Sequence, residues 1–365
     1  MTETVRVAYV DLALVEPTNR DRVIRFNALG RYRQIGIAPA HWVAKEMGRT
    51  YTNTLGAHDF RFLPTLGPSI STKHIYRFGP LLSTLRELRP ALLHAELETY
   101  SPAGWQMALA ARMLSIPLVL GTWQNHRLFR HRFLGWPIQR ACSALLAGTE
   151  QIAEQWIATH PGMPVVPLGF EASRFLPAPA RDRPRRRGRV GYLGRLVPGK
   201  GVDLLIRAAA TGGNWTLVID SAPGREPLER LASDLGVGER VEFADVAYAD
   251  VPAFLANLDV LVLPSRTTAR WREQFGRVLV ESMAVGTPVI GSSSGSIPGL
   301  IGEAGLIFPE EDFEALAVTI DKLLSDRELW LELRNRGLRR AQDFSWESVG
   351  RATADVYDSV LGTRN

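Results

Sequence analysis

Short apolar runs recur along this chain, each followed by enough sequence for one helix. In the first half they fall at residues 5–10, 92–94, 117–120, 143–147 and 165–167. In the second half they fall at 190–193, 215–219, 241–243, 260–263 and 288–290. Runs this short suit strands buried on both faces, and strands alternating with helices build a parallel sheet covered by helices. Helices are expected at 21–33 and at 101–114, where the residues are small and apolar. Between the two series lies 177–188, rich in proline and arginine, with the composition of an exposed connector; a nucleic-acid arm is the alternative. The expectation is an α/β chain of two Rossmann-like domains, residues 1–176 and 189–344, joined by the basic linker 177–188 and closed by a helix within 345–365.

Bulk properties agree with two cores. A chain of 365 residues has room for them, and 45% hydrophobic residues with a mean hydropathy of −0.05 describe an ordinary globular protein. No apolar run approaches the roughly 20 residues that span a bilayer. The N-terminus runs directly into a strand without a signal-peptide pattern, and the single Cys142 excludes an internal disulfide and a cysteine-based zinc site. A reducing cytoplasm is therefore expected. The net charge of +5 would suit a nucleoside diphosphate, anionic lipid or nucleic acid, and selects none of them. Only four of the 43 basic residues are lysines (Lys45, Lys73, Lys200, Lys322), an arginine-heavy balance that is most simply a genomic composition bias.

The segment Trp271-Arg272-Glu273-Gln274-Phe275-Gly276-Arg277-Val278-Leu279-Val280-Glu281 follows the run at 260–263 and the pair Pro264-Ser265. It reads as a buried strand, a loop, and a helix opening between Gln274 and Gly276. Glu273 would then sit at the helix mouth and Glu281 two turns further in, about 12 Å along the axis. Free N–H groups and the positive dipole end of such a helix face an anion. Two spaced hydroxyl acceptors beside a phosphate site suit a nucleotide sugar; a solvated helix face is the plain alternative. Upstream, Gly191-Tyr192-Leu193-Gly194-Arg195-Leu196-Val197-Pro198-Gly199-Lys200-Gly201 closes another strand. Its glycines let backbone approach a ligand, while Arg195 and Lys200 offer a planar fork and a point charge to a diphosphate. The spacing is not that of a Walker loop. Downstream, 286–298 ends a further strand in a loop of small residues.

The order Gly-x-x-Gly-Arg-x-x-x-x-Lys-Gly, Pro264-Ser265, Glu-x7-Glu running into Glu281-Ser282-Met283-Ala284, Gly286-Thr287-Pro288-Val289 and the late Phe344-Ser345-Trp346 resembles the family-four retaining glycosyltransferases of the GT-B fold. The resemblance covers most of 188–350 and implies two Rossmann-like domains facing a cleft, the last helix crossing back to the first domain. It implies that Arg195 and Lys200 hold the donor diphosphate and stabilise its departure, that Glu273 reaches hydroxyls of the transferred sugar, and that Glu281 bonds the ribose. Phe275 and the amides of Gly276, Arg277 and Val278 would meet the sugar or phosphate, Gly194 would lie near the phosphates, and Val241 and Phe243 would lie near the base. It further implies a metal-independent transfer with retention and no cofactor beyond the donor, with UDP the commonest carrier.

The first half departs from the family pattern. After the first strand, Asp11 to Arg20 contains no glycine, leaving Asn19 and Arg20 as substitutes there. Gln124 stands where relatives often have a histidine, with His126 two positions on; Gln124 can hydrogen-bond a sugar but cannot titrate. Glu96 and Glu98 form a candidate acceptor pocket, with capping of the next helix by Ser101 ahead of Pro102 the alternative. Asp220-Ser221-Ala222-Pro223-Gly224 and Gly299 also differ from the pattern. The implied acceptor is a glycan, a lipid-linked sugar or a small metabolite, and no nucleic-acid partner is expected. The acid-free, arginine-rich and aromatic segment 125–140 suggests peripheral contact with the inner membrane face, against a helix with merely exposed arginines. The competing classes are a sugar-nucleotide epimerase of the same architecture, for which no acid/base set is evident, and a non-catalytic basic binding module.

Overall fold

In a computed structural model the described residues are 4–44, 49–53, 59–70, 72–123, 129–179, 187–220, 224–269 and 271–362, with side chains of 129–134 left aside. The chain divides into two compact units, Met1–Gly169 with Trp346–Asn365, and Phe170–Ser345.

The first unit is built on six parallel strands: β1 (Val5–Asp11), β2 (Tyr32–Pro39), β3 (Phe60–Leu63), β4 (Leu92–Glu96), β5 (Leu118–Thr122) and β6 (Ala144–Ala147). They lie in the order β6-β5-β4-β1-β2-β3. The helix begun at Asp21 ends at Ala28, not at residue 33. Tyr32 and Arg33 instead open β2, a strand that periodicity alone overlooks, as it does β3. The run at 165–167 forms only a single bridge, Ala147 to Val165. Leu81, Leu85, Met107 and Ala111 pack one sheet face, while Phe26, Val356 and Tyr357 pack the other. The terminal helix Trp346–Leu361 thereby completes this unit's core.

The second unit repeats the plan with β7 (Gly188–Tyr192), β8 (Trp215–Asp220), β9 (Val241–Ala244), β10 (Val260–Leu263), β11 (Val289–Ser292) and β12 (Gly305–Phe308) in the order β9-β8-β7-β10-β11-β12. All pairings are parallel. Both orders are the doubly wound one, reversing between the first and fourth strands, and ligands collect at the carboxyl ends beside that reversal. The chain enters the second unit at Phe170, upstream of the linker expected from composition. There the Phe170 amide bonds the Phe344 carbonyl, and its ring meets Phe175 edge-on.

Candidate donor site at the second sheet

β7 and β10 are the neighbours at which the second sheet reverses, pairing Val190 with Val260. Their carboxyl ends release the two loops singled out by sequence. After β7, Gly194 and the exposed Arg195 turn back, the Arg195 carbonyl accepting from the Tyr192 hydroxyl at 2.8 Å. Pro198–Lys200 forms one 3-10 turn, Gly201 takes φ +65°, and the helix Val202–Thr211 follows. Only glycine fits at 201, since a Cβ would lie 2.1 Å from the Pro264 carbonyl oxygen.

Lys200 Nζ donates to Glu273 Oε2 at 2.6 Å, and the buried Ser265 hydroxyl donates to the same oxygen at 2.7 Å. Ser265 is held in turn, its carbonyl accepting from Ser292 Oγ at 2.5 Å. The loops after β7 and β10 thus meet on one carboxylate oxygen, and the end of β11 braces the second of them through Ser265. Oε2 accepts two hydrogen bonds, and among the described residues both partners of the carboxylate lie on this one oxygen. Trp271 packs over Gly199, with Lys200 Nζ 5.2 Å from its ring centre. Arg266 clamps the loops together: its guanidinium grips Asp203 at 2.7 and 2.6 Å, and its amide bonds the Gly199 carbonyl at 2.8 Å. Sequence reasoning missed Arg266 and Asp203, because nothing local marks a pair so far apart along the chain.

The backbone of Glu273 is equally constrained. Ser296 N donates to its carbonyl at 3.1 Å, and Gly295 has φ +56° with a site for Cβ only 2.1 Å from that oxygen. Gly295→Ala is therefore expected to expel Glu273 from its place. The left-handed strain alone costs about 2 kcal/mol, a fall of about 4–8 °C in thermal midpoint for a unit of this size. Differential scanning calorimetry of the variant checks this.

The following helix spans Arg277–Val285, capped at Gly276, so Glu273 lies in the loop and only Glu281 is helical. The 12 Å axial estimate, which assumed an earlier helix start, does not apply. The cap residue is a glycine and supplies no side chain to this N-terminus, where the first-turn N–H groups of Arg277 and Val278 have no partner within the helix. The buried Phe275 ring packs edge-on against Phe344. Glu281 is 7% exposed and lies 3.2 Å from Arg277 Nε. Burial lifts its carboxyl to about 7, against the pull of Arg277 and Arg174. Val241 and Phe243 are half-buried on β9, the edge strand of this sheet.

In the first unit the sheet reverses between β1 and β4, with Asp11 beside Glu96. Glu96 accepts from the Trp123 indole at 3.2 Å and lies 3.3 Å from His94 Nε2. Burial raises its carboxyl, but the His94 ring, Arg22 and Trp123 bring it below the ordinary range. Glu98 accepts from the Thr122 hydroxyl at 2.9 Å and from the Trp123 amide at 3.3 Å, and burial lifts it to about 7. Glu98 thus braces the loops after β4 and β5. Asp11 pairs with Arg22 and accepts from Tyr9 at 3.1 Å. His94 Nδ1 lies 2.7 Å from the Tyr357 hydroxyl, which also accepts from Gln34 at 2.8 Å, tying the terminal helix to this strand end.

Asn19 bonds the Ala13 carbonyl at 3.1 Å, and Arg20 bonds that of Leu14 at 3.0 Å while covering Phe62. Both therefore hold the turn after β1 in shape. Ser101 caps the helix Pro102–Leu114 by accepting from Gly104 N at 3.0 Å. Gln124 and His126 lie outside the described residues, as do 180–186 of the linker and 221–223 after β8.

Two parallel six-stranded sheets, each reversing between its first and fourth strands, define an α/β protein of two units with the sheets of the GT-B fold. Residues 180–341 match the model for glycosyl transferases group 1, and the second unit belongs to that family. The chain is 33% identical over 209 residues to a GDP-mannose-dependent alpha-(1-6)-phosphatidylinositol monomannoside mannosyltransferase of Mycolicibacterium smegmatis, covering 52% of this chain and 55% of that one. It is 29% identical over 254 residues to a D-inositol 3-phosphate glycosyltransferase of Streptomyces avermitilis, covering 61% and 53%. The chain spans about half the length of the curated relatives it matches. Among solved structures, the sucrose-phosphate synthase of Thermosynechococcus elongatus aligns with a TM-score of 0.73 over 99% of this chain and 100% of that one, at 18% identity. Anabaena Alr3699/HepE in complex with UDP aligns at 0.76 over 97% and 100%, at 19% identity. These likenesses establish the GT-B fold.

Proposed function

We propose that this protein is a retaining glycosyltransferase that moves a hexose-type sugar from a nucleoside-diphosphate sugar to a hydroxyl acceptor without a metal ion. The observation that carries the reading is the shared oxygen of Glu273. Lys200 and Ser265 fix one carboxylate oxygen at the sheet reversal, which leaves the other to a ligand beside a helix N-terminus. In this reading Lys200 and Arg195 face the diphosphate, and Glu273 Oε1 accepts from a hydroxyl of the sugar. Glu281 accepts from ribose hydroxyls, and the amides of Gly276, Arg277 and Val278 meet phosphate or sugar. Gly194 borders the phosphates, and Val241 and Phe243 border the base. Gln124, Glu96, Glu98 and His126 are the proposed acceptor-side residues.

In the reaction the bond from the anomeric carbon to the phosphate oxygen breaks, and its electron pair leaves with the diphosphate. The acceptor oxygen attacks from the same face, and its proton passes to a phosphate oxygen of the leaving group. Fixed cations and amides aimed at that growing charge lower the barrier without reorganising. Relatives are named for GDP-mannose, and structural neighbours hold UDP or UDP-glucose, so both bases belong in the donor panel. A thermal-shift screen of UDP-, GDP-, ADP- and dTDP-sugars is expected to show one base stabilising the protein by an amount that grows with concentration. NMR of the product is expected to show the donor's anomeric configuration, and EDTA should leave the rate unchanged. Inversion, or a rate abolished by EDTA and restored by a divalent ion, would refute the mechanism.

A further inference from the structure

The helix Pro102–Leu114 is packed inside out. Ala103, Gly104, Met107, Ala110 and Ala111 face the core, nearly all of them small. The large apolar residues Trp105, Leu109 and Met113, spaced by four and so aligned on one face, are 42%, 50% and 52% exposed. An ordinary surface helix does the reverse, burying its bulk and exposing its polar side. Arg112 is exposed beside Met113. The helix packs against Phe129–Ala141, on which Trp136 is 54% exposed with Arg140 4.4 Å from its ring centre.

The sequence of this stretch is one-sided in charge. From Thr99 to Thr149 it contains no aspartate or glutamate and five arginines, of which the exposed Arg112 and the ring-stacked Arg140 have described side chains. A protein partner of mixed charge needs no such purge of acids over so long a stretch. An anionic surface does, because each carboxylate near it would be repelled while each arginine is drawn to it. Indoles sit well at the boundary between headgroups and acyl chains, and leucine and methionine side chains enter the layer beneath. No helix among the described residues is long and apolar enough to cross a membrane, so contact through this helix would be lateral.

We propose that the outer face of Pro102–Leu114, together with the exposed Trp136 and its partner Arg140 on the neighbouring helix, docks on an anionic lipid bilayer surface. This contact goes beyond the transferase reading, and its tests use no turnover. The probe is vesicles of phosphatidylcholine with or without phosphatidylglycerol, mixed with the full chain at low and high salt. The protein is expected to co-sediment with the anionic vesicles at low salt, and to be released at high salt as the charges are screened. Brominated acyl chains should quench its tryptophan fluorescence. The triple variant Trp105→Ser, Leu109→Ser, Met113→Ser should keep its circular dichroism and bind at least about tenfold more weakly. The proposal is overturned if the wild type fails to bind anionic vesicles at low salt or is not quenched. Undiminished binding by the folded variant overturns it too. A concentration-dependent dimer of the wild type that the variant abolishes, with neither protein binding vesicles, would assign the face to a second copy of the chain instead.

Discussion

Replacing Lys200 with alanine is expected to lower kcat by about 10²–10³-fold, the usual cost of deleting one preorganised donor aimed at developing charge. The substitution also removes the counter-ion of the Glu273 carboxylate, only 8% exposed at its side chain, and leaves Ser265 as its hydrogen-bond donor among the described residues. Uncompensated burial of that charge costs about 3–5 kcal/mol, so the single variant will also melt earlier. A paired variant separates the two effects. Lys200→Ala with Glu273→Gln removes both charges, should recover most of the lost midpoint, and should remain inactive. Single-turnover kinetics with calorimetry on the four proteins of this cycle give the comparison. Wild-type turnover in the paired variant would remove Lys200 from the chemistry and leave it a structural counter-ion.

Glu281 carries the second large effect, and pH makes it specific. Burial holds its carboxyl at about 7 in the folded protein, above its ordinary value. The folded state therefore binds more protons than the unfolded one across that window. The stability due to this group is fully present below the ordinary carboxyl pKa and is lost as pH rises through about 7. Glu98, also held near 7, acts in the same direction. Donor affinity should move the opposite way, because an ionised carboxylate accepts two ribose hydroxyls better than a protonated one. The dissociation constant for the nucleoside diphosphate is thus expected to fall between pH 6 and pH 8 while the melting temperature also falls. Glu281→Gln should flatten the binding profile, and Glu281→Ala should weaken donor binding by about 10–100-fold, the range for hydrogen bonds to a charged group. Calorimetric titration at several pH values checks both. A donor affinity independent of pH in the wild type would remove Glu281 from the ribose.

Much of the second unit was legible beforehand, because its signals are local. A buried strand, a glycine-bearing turn and a helix follow one another within a few residues at each of its motifs. Gly201, Gly276 and Gly286 stand where the backbone takes positive φ, as those motifs imply. The first unit was less legible. Its helix after β1 seemed to run on through Tyr32 and Arg33 because both can extend an amphipathic pattern, yet pairing with β1 makes them strand. Asn19 and Arg20 looked free to bind an acceptor because sequence cannot show the carbonyls of Ala13 and Leu14 turning toward them.

By itself, then, the sequence determined the alternation of elements, the positions of the strand-end loops and the residues those loops carry. All of these depend on residues within about two helical turns of each other. Only the tertiary structure decided which oxygen of Glu273 is occupied, that Arg266 and Asp203, 63 residues apart, lock the loops around Lys200, and that Tyr357 reaches His94 across 263 residues. Those pairs are chosen by how the sheet stacks its strands and helices, and chain-distant partners leave no trace in local spacing.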